Sequence, residues 1–529
     1  MPTDEVIDRK RTMDERGDQM KRGEHSSRLT DLSPAKQALL ERRRRGKSPG
    51  ASRSTQASTI GRADRGRDLP LTLLLEHQLR QLWAAPDDHD VCARCYRLTG
   101  TLDEAAMLRA VNEMARRHEI LRTTFPLVEG RVTQAVAPSL TVTMPVFDLR
   151  GTPEAERMEG ALRIATEEAR RPYDPGRDPL WRVAFVRIGE STHLLLLNIS
   201  HIISDGWSLD IFVRDLWLLY QAFSAGEPSP LTELPIQFAD YASWQRETLQ
   251  GPALEKLINY WKSQLDGLKL IPEIRLPIER PLAPAPGREL LYVTGAFQSL
   301  NIPAALLESL KELGRREGVT LYMLLLASLA ALLHRYTGEL DFGIPSSIAN
   351  RYLPETTQVI GPFADRLVLR IKFSAADTFS ELLQRVRKVV LEAYEHQELP
   401  FIMFHGNTDE AWEKMNYPSV RFNMQKRSEV CGAGAAEAGA EVRIAGLAIA
   451  PIDLPQCAGE DQPWDLPGIE VDVQYNEKEL LVTLVYERER YEAAAIEELL
   501  GNYRVILEGA AARPAQGLSE FPLVMKAAV

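Results

Sequence analysis

One histidine stands where an apolar run ends, and an Asp-Gly pair follows it within a helical turn. The stretch is "LLLLNISHIISDGWSLDIF", Leu194 to Phe212, with Ser200 and His201 at the end of the run and Asp205 and Gly206 after them. An imidazole at the mouth of a cleft accepts a proton from an attacking amine or hydroxyl. With an ordinary pKa near ~6.5 it is mostly neutral at neutral pH. Backbone N–H groups at the start of the following helix can meet a developing oxyanion. The plainer roles are structural: a histidine at a strand end is as a rule a satisfied core residue, Asp205 suits an N-cap, and Gly206 permits a sharp turn. The Gly-x-Ser-x-Gly at Gly46 to Gly50 falls in a polar Ser/Arg/Gly-rich stretch rather than on a strand-to-helix turn, so it forms no nucleophile elbow, and no Gly-x-x-x-x-Gly-Lys loop holds nucleotide phosphates. Direct acyl transfer between two bound substrates therefore fits better than hydrolysis through an acyl-enzyme.

The elements that must position these groups alternate in type along the chain. "THLLLLNIS" and the preceding "LWRVAFVRIG" predict a hairpin turning at Gly189 to Thr192. The segment after Asp205 predicts a helix burying Leu209, Phe212, Val213, Leu216 and Tyr220 on one face. "TLDEAAMLRAVNEMARRH" is amphipathic through Leu108, Val111 and Met114. Helices are expected over 303–317, 320–335, 378–395 and 491–509, with strands near Tyr292, at "DFGIPSSI", at "LVLRIKF" and near 469–486. This mixture of helices and strands in two halves predicts an α/β or α+β architecture with two lobes. At 529 residues the chain also exceeds what one hydrophobic core usually organises.

Domain organisation follows from composition. Residues 1–46 read as a charged start plus a helical element, "LSPAKQALLERRRRG", and 47–68 as a Ser/Arg/Gly-rich flexible linker. A first lobe over 69–270 and a second over 271–529 are separated near the proline-rich "LPIERPLAPAPGREL", and "CGAGAAEAGAEVRIAGLAIAP" reads as a loop or extended insertion.

Net charge of −11 and a pI near 5.5 argue against nucleic acid as a partner. The N-terminus has no apolar signal-peptide core, and the longest apolar run, Val319 to Leu333, is too short to span a bilayer and reads as a buried helix. No membrane association and a cytoplasmic location are expected. Cys92 and Cys95 form a C-x-x-C, but on a strand they point to opposite faces, so no metal site is expected; Cys431 and Cys457 complete no disulfide framework.

Seven blocks occur in one family's order. Ser200 to Ser208 resembles the H-H-x-x-x-D-G motif of condensation domains from nonribosomal peptide synthetases. "LTLLLEHQLRQLW", "RRHEILRTTF" and "QFADYASWQ" are similar to that family's opening and middle motifs, and "LLHRYTGELDFGIPSSIANR", "IGPFADRLVLR" and "HQELPF" to its later ones. The resemblance implies two chloramphenicol acetyltransferase-like lobes in a V-shaped pseudo-dimer with a central tunnel. Donor and acceptor carrier proteins insert phosphopantetheine arms into it, and an acceptor amine, or alternatively an alcohol, attacks the donor thioester. The chain itself binds no cofactor. By the same resemblance His201 carries the reaction, and Asp205 is structural, pairing with Arg335 of the second lobe. Trp207, Ser346, Asn350 and Asp365 are expected to line the tunnel.

Ser200 stands where the family has its first histidine, and Phe363-Ala364-Asp365-Arg366 replaces Phe-Val-Asn-Thr, placing an expected ion pair near a substrate-facing strand. The absence of adenylation and carrier motifs suggests a free-standing enzyme or one excised from an assembly line, with the N-terminal element docking an upstream carrier protein. The other reading is a condensation-like module that recruits carrier proteins or tailoring enzymes without turnover. Intact His201 argues against it and Ser200 argues for it.

Overall fold

The computed structural model describes residues 60–84, 91–268, 293–374, 376–404, 420–426, 442–452, 454, 463–464 and 468–523. The N-terminal helical element, the proline-rich connection over 276–290, Cys431 and Cys457 lie outside them.

The first lobe opens with α1 (Leu73–Ala84), β1 (Val91–Thr99) and α2 (Glu104–Arg117). Two small ribbons follow, β2 (Thr123–Thr124) with β5 (Ala135–Val136) and β3 (Leu127–Val128) with β4 (Arg131–Val132). Next come β6 (Val146–Asp148), α3 (Glu154–Arg170), β7 (Trp181–Arg187), β8 (Thr192–Ser200), α4 (Gly206–Ser224), α5 (Phe238–Thr248) and α6 (Gly251–Leu265). The hairpin expected between β7 and β8 is present, with the Ile188 and Gly189 N–H groups both donating to Thr192 O.

In β8, Leu195, Leu197 and Ile199 pack with the α2 and α4 side of the sheet, while Leu194 and Leu196 pack with α3 alanines on the other. A strand covered on both faces needs an unbroken apolar run, and the four leucines supply it. The five residues expected on the inner face of α4 are all buried.

The second lobe contains β9 (Val293–Ile302), α7 (Ala304–Glu317), α8 (Leu321–Thr337), β10 (Asp341–Ile348), β11 (Asp365–Lys372), α9 (Phe379–Glu395) and β12 (Val420–Lys426). After β13 (Val442–Ile444) and β14 (Leu447–Ile452), it ends with β15 (Pro463–Trp464), β16 (Ile469–Tyr475), β17 (Leu480–Glu487) and α10 (Ala493–Ala512). Its sheet runs β11-β10-β12-β16-β17-β9-β15. α8 is apolar all round because it is buried all round, from Met323 to Leu333. α9 starts at a capping box, Thr378 with Glu381. No described helix by itself is long and apolar enough to cross a membrane.

Several described segments cross between the lobes. α6, expected in the first lobe, packs Leu257 and Trp261 into the second lobe's core instead, where the Trp261 indole N–H donates to His396 O at 2.9 Å. β13 and β14 join the first lobe's sheet, ordered β13-β14-β1-β8-β7-β6, so part of the stretch read as an insertion in the second lobe belongs to the first sheet. The connection from β10 to β11 also reaches over, placing Val359, Ile360 and Phe363 in the first lobe's core. There the Phe363 ring lies 5.1 Å from Phe238 and 4.8 Å from Tyr241. A Cβ at Gly361 would come within 2.2 Å of the Phe238 ring, so only glycine allows this approach.

Residues 60–68, grouped by composition with the flexible linker, instead pack on the first lobe. Ile60 is buried, Arg62 donates to Leu234 O and Pro235 O, and Arg65 pairs with Asp240 at 2.6 Å and with Glu119 at 2.6 Å. These arginine hydrogen bonds and ion pairs outweigh the polar composition that suggested a linker.

Candidate active site

β8 carries the chain to Ser200, and a tight turn over 201–203 delivers it to the N-terminus of α4. Ser200 is buried within that turn. Its oxygens accept from the Ile202 N–H (3.3 Å) and the Ser204 hydroxyl (2.9 Å), so the serine stabilises the turn locally. His201, the next residue, is half-buried, and Gly206 and Trp207 are exposed at the first turn of α4. The first N–H groups of a helix have no acceptor within it; in this turn Asp205 takes those of Ser208 and Leu209, which leaves the Gly206 and Trp207 N–H groups as the donors at its exposed start.

Asp205 turns the other way, into the protein. Its Oδ1 caps α4 by accepting from Ser208 N at 2.7 Å, and its Oδ2 accepts from Phe363 N and Ala364 N at 3.0 Å each. The cation facing it is Arg351, at 3.1 Å, with both side chains almost fully buried. Arg351 also donates to Ser208 Oγ (2.7 Å), Thr356 O (2.6 Å) and Val359 O (2.6 Å), and its guanidinium lies 4.1 Å from the centre of the Phe363 ring. Burial pulls the guanidinium below its ordinary pKa, and Asp205 opposes that shift. Asp205 and Arg351 thus fasten the inter-lobe connection to the turn that carries His201.

Arg335 is not the partner of Asp205. It lies in the last turn of α8 and donates to Leu518 O (2.8 Å) and Phe521 O (3.2 Å) within its own lobe. The expected charge pair exists, but its cation comes from the residue after Asn350, at the start of the crossing connection. Asn350 itself makes the bend there, with φ of 52°. Asparagine tolerates this left-handed conformation better than most residues.

The expected lining residues separate. Trp207 is exposed beside the site, and its indole N–H donates to Thr357 O across the lobes. Ser346 is buried on the helix-facing side of its sheet, its hydroxyl 2.7 Å from Tyr322 Oη of α8; the exposed side chain of that strand end is Ser347. Asp365 is buried and forms no ion pair with Arg366, because neighbours on a strand point to opposite faces. Its carboxylate accepts from Arg366 N (2.7 Å) and Phe401 N (3.3 Å), and burial pushes its pKa up to about 7.

Besides Arg351, sequence reasoning missed Cys92. Cys92 Sγ lies 2.9 Å from His201 Nε2, one atom donating to the other according to the imidazole tautomer. Antiparallel register explains the meeting. Cys92 pairs with Ile199, and His201 follows two residues later on the same face, a diagonal neighbour. Cys95 packs on the opposite face, with the α3 alanines, as the strand reading of the C-x-x-C required. Among the described residues no group of His, Cys, Asp or Glu is arranged to hold a metal.

A family model described as "Condensation domain" matches residues 87–528. The chain belongs to the condensation domain family. It is 36% identical over 431 residues to a linear gramicidin synthase protein of Brevibacillus parabrevis, an alignment that covers 81% of this chain and 5% of that protein. The chain therefore spans about one-twentieth of that relative's length. Among solved structures, the complex of the X-domain and OxyB from teicoplanin biosynthesis aligns with a TM-score of 0.71 and 25% identity, covering 88% of this chain and 98% of that one. The first condensation domain of the calcium-dependent antibiotic synthetase aligns at 0.66 and 19%, covering 87% and 100%, a likeness of fold. The mixed α/β, chloramphenicol acetyltransferase-like architecture expected from the motifs is the one observed.

Proposed function

We propose that this chain joins an acyl or peptidyl thioester to an amine, forming an amide and releasing a thiol. The observation that carries this reading is the division of labour in the turn after β8. Asp205 is consumed in fastening the two lobes, while His201 remains half-open beside an exposed helix N-terminus. In the reaction the amine nitrogen attacks the thioester carbonyl, and His201 accepts the proton that the nitrogen sheds. N–H donors in the first turn of α4 stabilise the oxyanion, and the carbon–sulfur bond then breaks. A thioester is already activated, so holding both reactants near one imidazole supplies much of the acceleration.

Family membership supports carrier proteins as the partners, each presenting its reactant on a phosphopantetheine arm that reaches the half-buried His201. An alcohol in place of the amine gives an ester by the same steps.

A second reading is recruitment without turnover. It is favoured by Ser200 and by the likeness to an X-domain whose solved complex contains OxyB. Incubation with acyl-pantetheine donors and a panel of amines, with His201→Ala in parallel, separates the two. Amide formed by the native protein and lost in the variant supports catalysis. Carrier binding without product from either protein supports recruitment.

A further inference from the structure

We propose that Asp472 is a specificity-determining residue, a carboxylate that receives an ammonium group carried by the acceptor in addition to the amine that reacts. The proposal rests on the acyl-transfer reading above and names the acceptor class that reading leaves open: a diamine, of which a diamino acid is the simplest form. It begins on the face of the second lobe's sheet that is turned away from its helices. Phe422, Val471 and Val473 pack into that lobe's core, so strand alternation turns Asn423, Gln425, Asp472 and Gln474 the other way. β12 and β16 run parallel in a register that sets Asn423 beside Asp472 and Gln425 beside Gln474. This polar square reaches the candidate site. A Cβ at Gly206, in the exposed first turn of α4, would lie 3.6 Å from Gln425 Oε1.

The square is built around a carboxylate with no cation. Asp472 Oδ1 accepts from Asn423 Nδ2 at 3.0 Å and, more distantly, from Gln425 Nε2 at 3.5 Å; its Oδ2 accepts from Gln474 Nε2 at 3.2 Å. All three donors are neutral amides. Arg421, on the same face of β12, is engaged by Glu470 at 3.3 Å, and among the described residues no cation pairs with Asp472. Burial, and after it the Glu470 charge, push the Asp472 pKa up to about 6, which leaves it mostly ionised at neutral pH. A second group lacks its complement: Gln474 Oε1 is buried and has no hydrogen-bond partner among the described residues.

A half-buried carboxylate without a cation and a buried carbonyl without a donor each cost stability. One ammonium answers both, because it carries positive charge and three N–H donors and needs no acceptor of its own. The group bound there is not the amine that reacts. Pairing with a carboxylate raises an amine's pKa and holds it protonated, and a protonated nitrogen has no lone pair for the thioester carbonyl. The reacting nitrogen belongs at His201 and the ammonium at Asp472, with the exposed Gln425 side chain spanning the interval from α4 to the carboxylate.

The test uses the full chain with acetyl- and octanoyl-N-acetylcysteamine thioesters as donors and amino acid amides as acceptors. Diaminobutyramide is set against norvalinamide and ornithinamide against norleucinamide, each pair differing by an ammonium in place of a methyl. The readout is the ratio of kcat/KM within a pair, which cancels any general loss of activity. Charge-assisted hydrogen bonds put that ratio at about tenfold or more for the better-fitting diamine in the native protein. It should fall to near one in Asp472→Asn, which keeps the side chain's shape and removes its charge, and part of the way in Gln474→Leu. Calorimetric titration of ornithinamide and norleucinamide into native protein and Asp472→Asn reads the same margin without turnover.

Ratios near one for both pairs in the native protein overturn the ammonium site and leave acyl transfer through His201 standing. A diamine preference that survives Asp472→Asn overturns Asp472 as its source. Diamine binding that depends on Asp472, with no amine of either kind acylated, supports the ammonium site and overturns amide synthesis instead.

Discussion

Replacing Arg351 by alanine should cost far more stability than replacing Arg335, although the motif pattern favoured Arg335 as the partner of Asp205. Arg351 is almost fully buried, and its removal strands the equally buried Asp205 carboxylate. Breaking such a pair by deleting one partner typically costs ~3–5 kcal/mol. Asp205 keeps three N–H donors, from Ser208, Phe363 and Ala364, which places the expected loss near the lower end, about 3 kcal/mol. Thr356 O, Val359 O and Ser208 Oγ lose their donor as well. Arg335 makes one good hydrogen bond and one longer one to carbonyl oxygens, so Arg335→Ala should cost about 1–2 kcal/mol. Urea unfolding followed by tryptophan fluorescence and far-UV circular dichroism measures both. Coincidence of the two probes tests whether one transition is being read. The double variant Asp205→Asn with Arg351→Met should recover part of the loss, since the buried charges leave together. Equal losses for the two arginines, or strictly additive losses for Asp205→Ala and Arg351→Ala, would refute the pairing described here.

Other consequences are equally specific. Gly361→Ala drives a methyl into the Phe238 ring, so a loss of ~1–3 kcal/mol is expected by denaturant midpoint, partly relieved by Phe238→Leu. The Asp365 carboxyl is raised to about 7 by burial, against about 3.9 when unfolded. A raised folded pKa contributes stability that is fully present below the unfolded value and drains away as pH rises to the folded one. Between pH 4 and 7 the native protein should therefore lose stability relative to Asp365→Asn, by at most about 4 kcal/mol, and unfolding of both proteins across that range checks it. A difference that is flat or grows with pH contradicts that assignment. Ser346→Ala should leave amide formation within about twofold of native while lowering stability by ~1 kcal/mol, because its hydroxyl bonds to Tyr322 on the helix side.

What the sequence disclosed was governed by short-range rules. The apolar run of β8, the Asp205 cap, the stripe on α4 and the Thr378–Glu381 box each depend on residues within a few positions of one another. What it withheld depended on register and long connections. Several arginines follow Asp205 in the later motifs, and only the path of the β10–β11 connection brings Arg351 rather than Arg335 to the carboxylate. Ser346 and Ser347 differ by one position, and strand alternation turned the wrong one toward the helices. Nothing near residues 442–452 signals that they pair with β1 in the other lobe's sheet. Cys92 meets His201 through antiparallel register, which spacing along one strand does not reveal.

The central claim is that the imidazole after β8 performs the transfer. Its most direct measurement is the initial rate of amide formation from a carrier-bound or pantetheine thioester and an accepted amine, native protein beside His201→Ala, with circular dichroism showing that both are folded. Loss of a positioned acid–base group lowers a rate by ~10²–10⁴-fold, and a fall of at least a hundredfold is expected. Equal rates from two folded proteins would contradict the account.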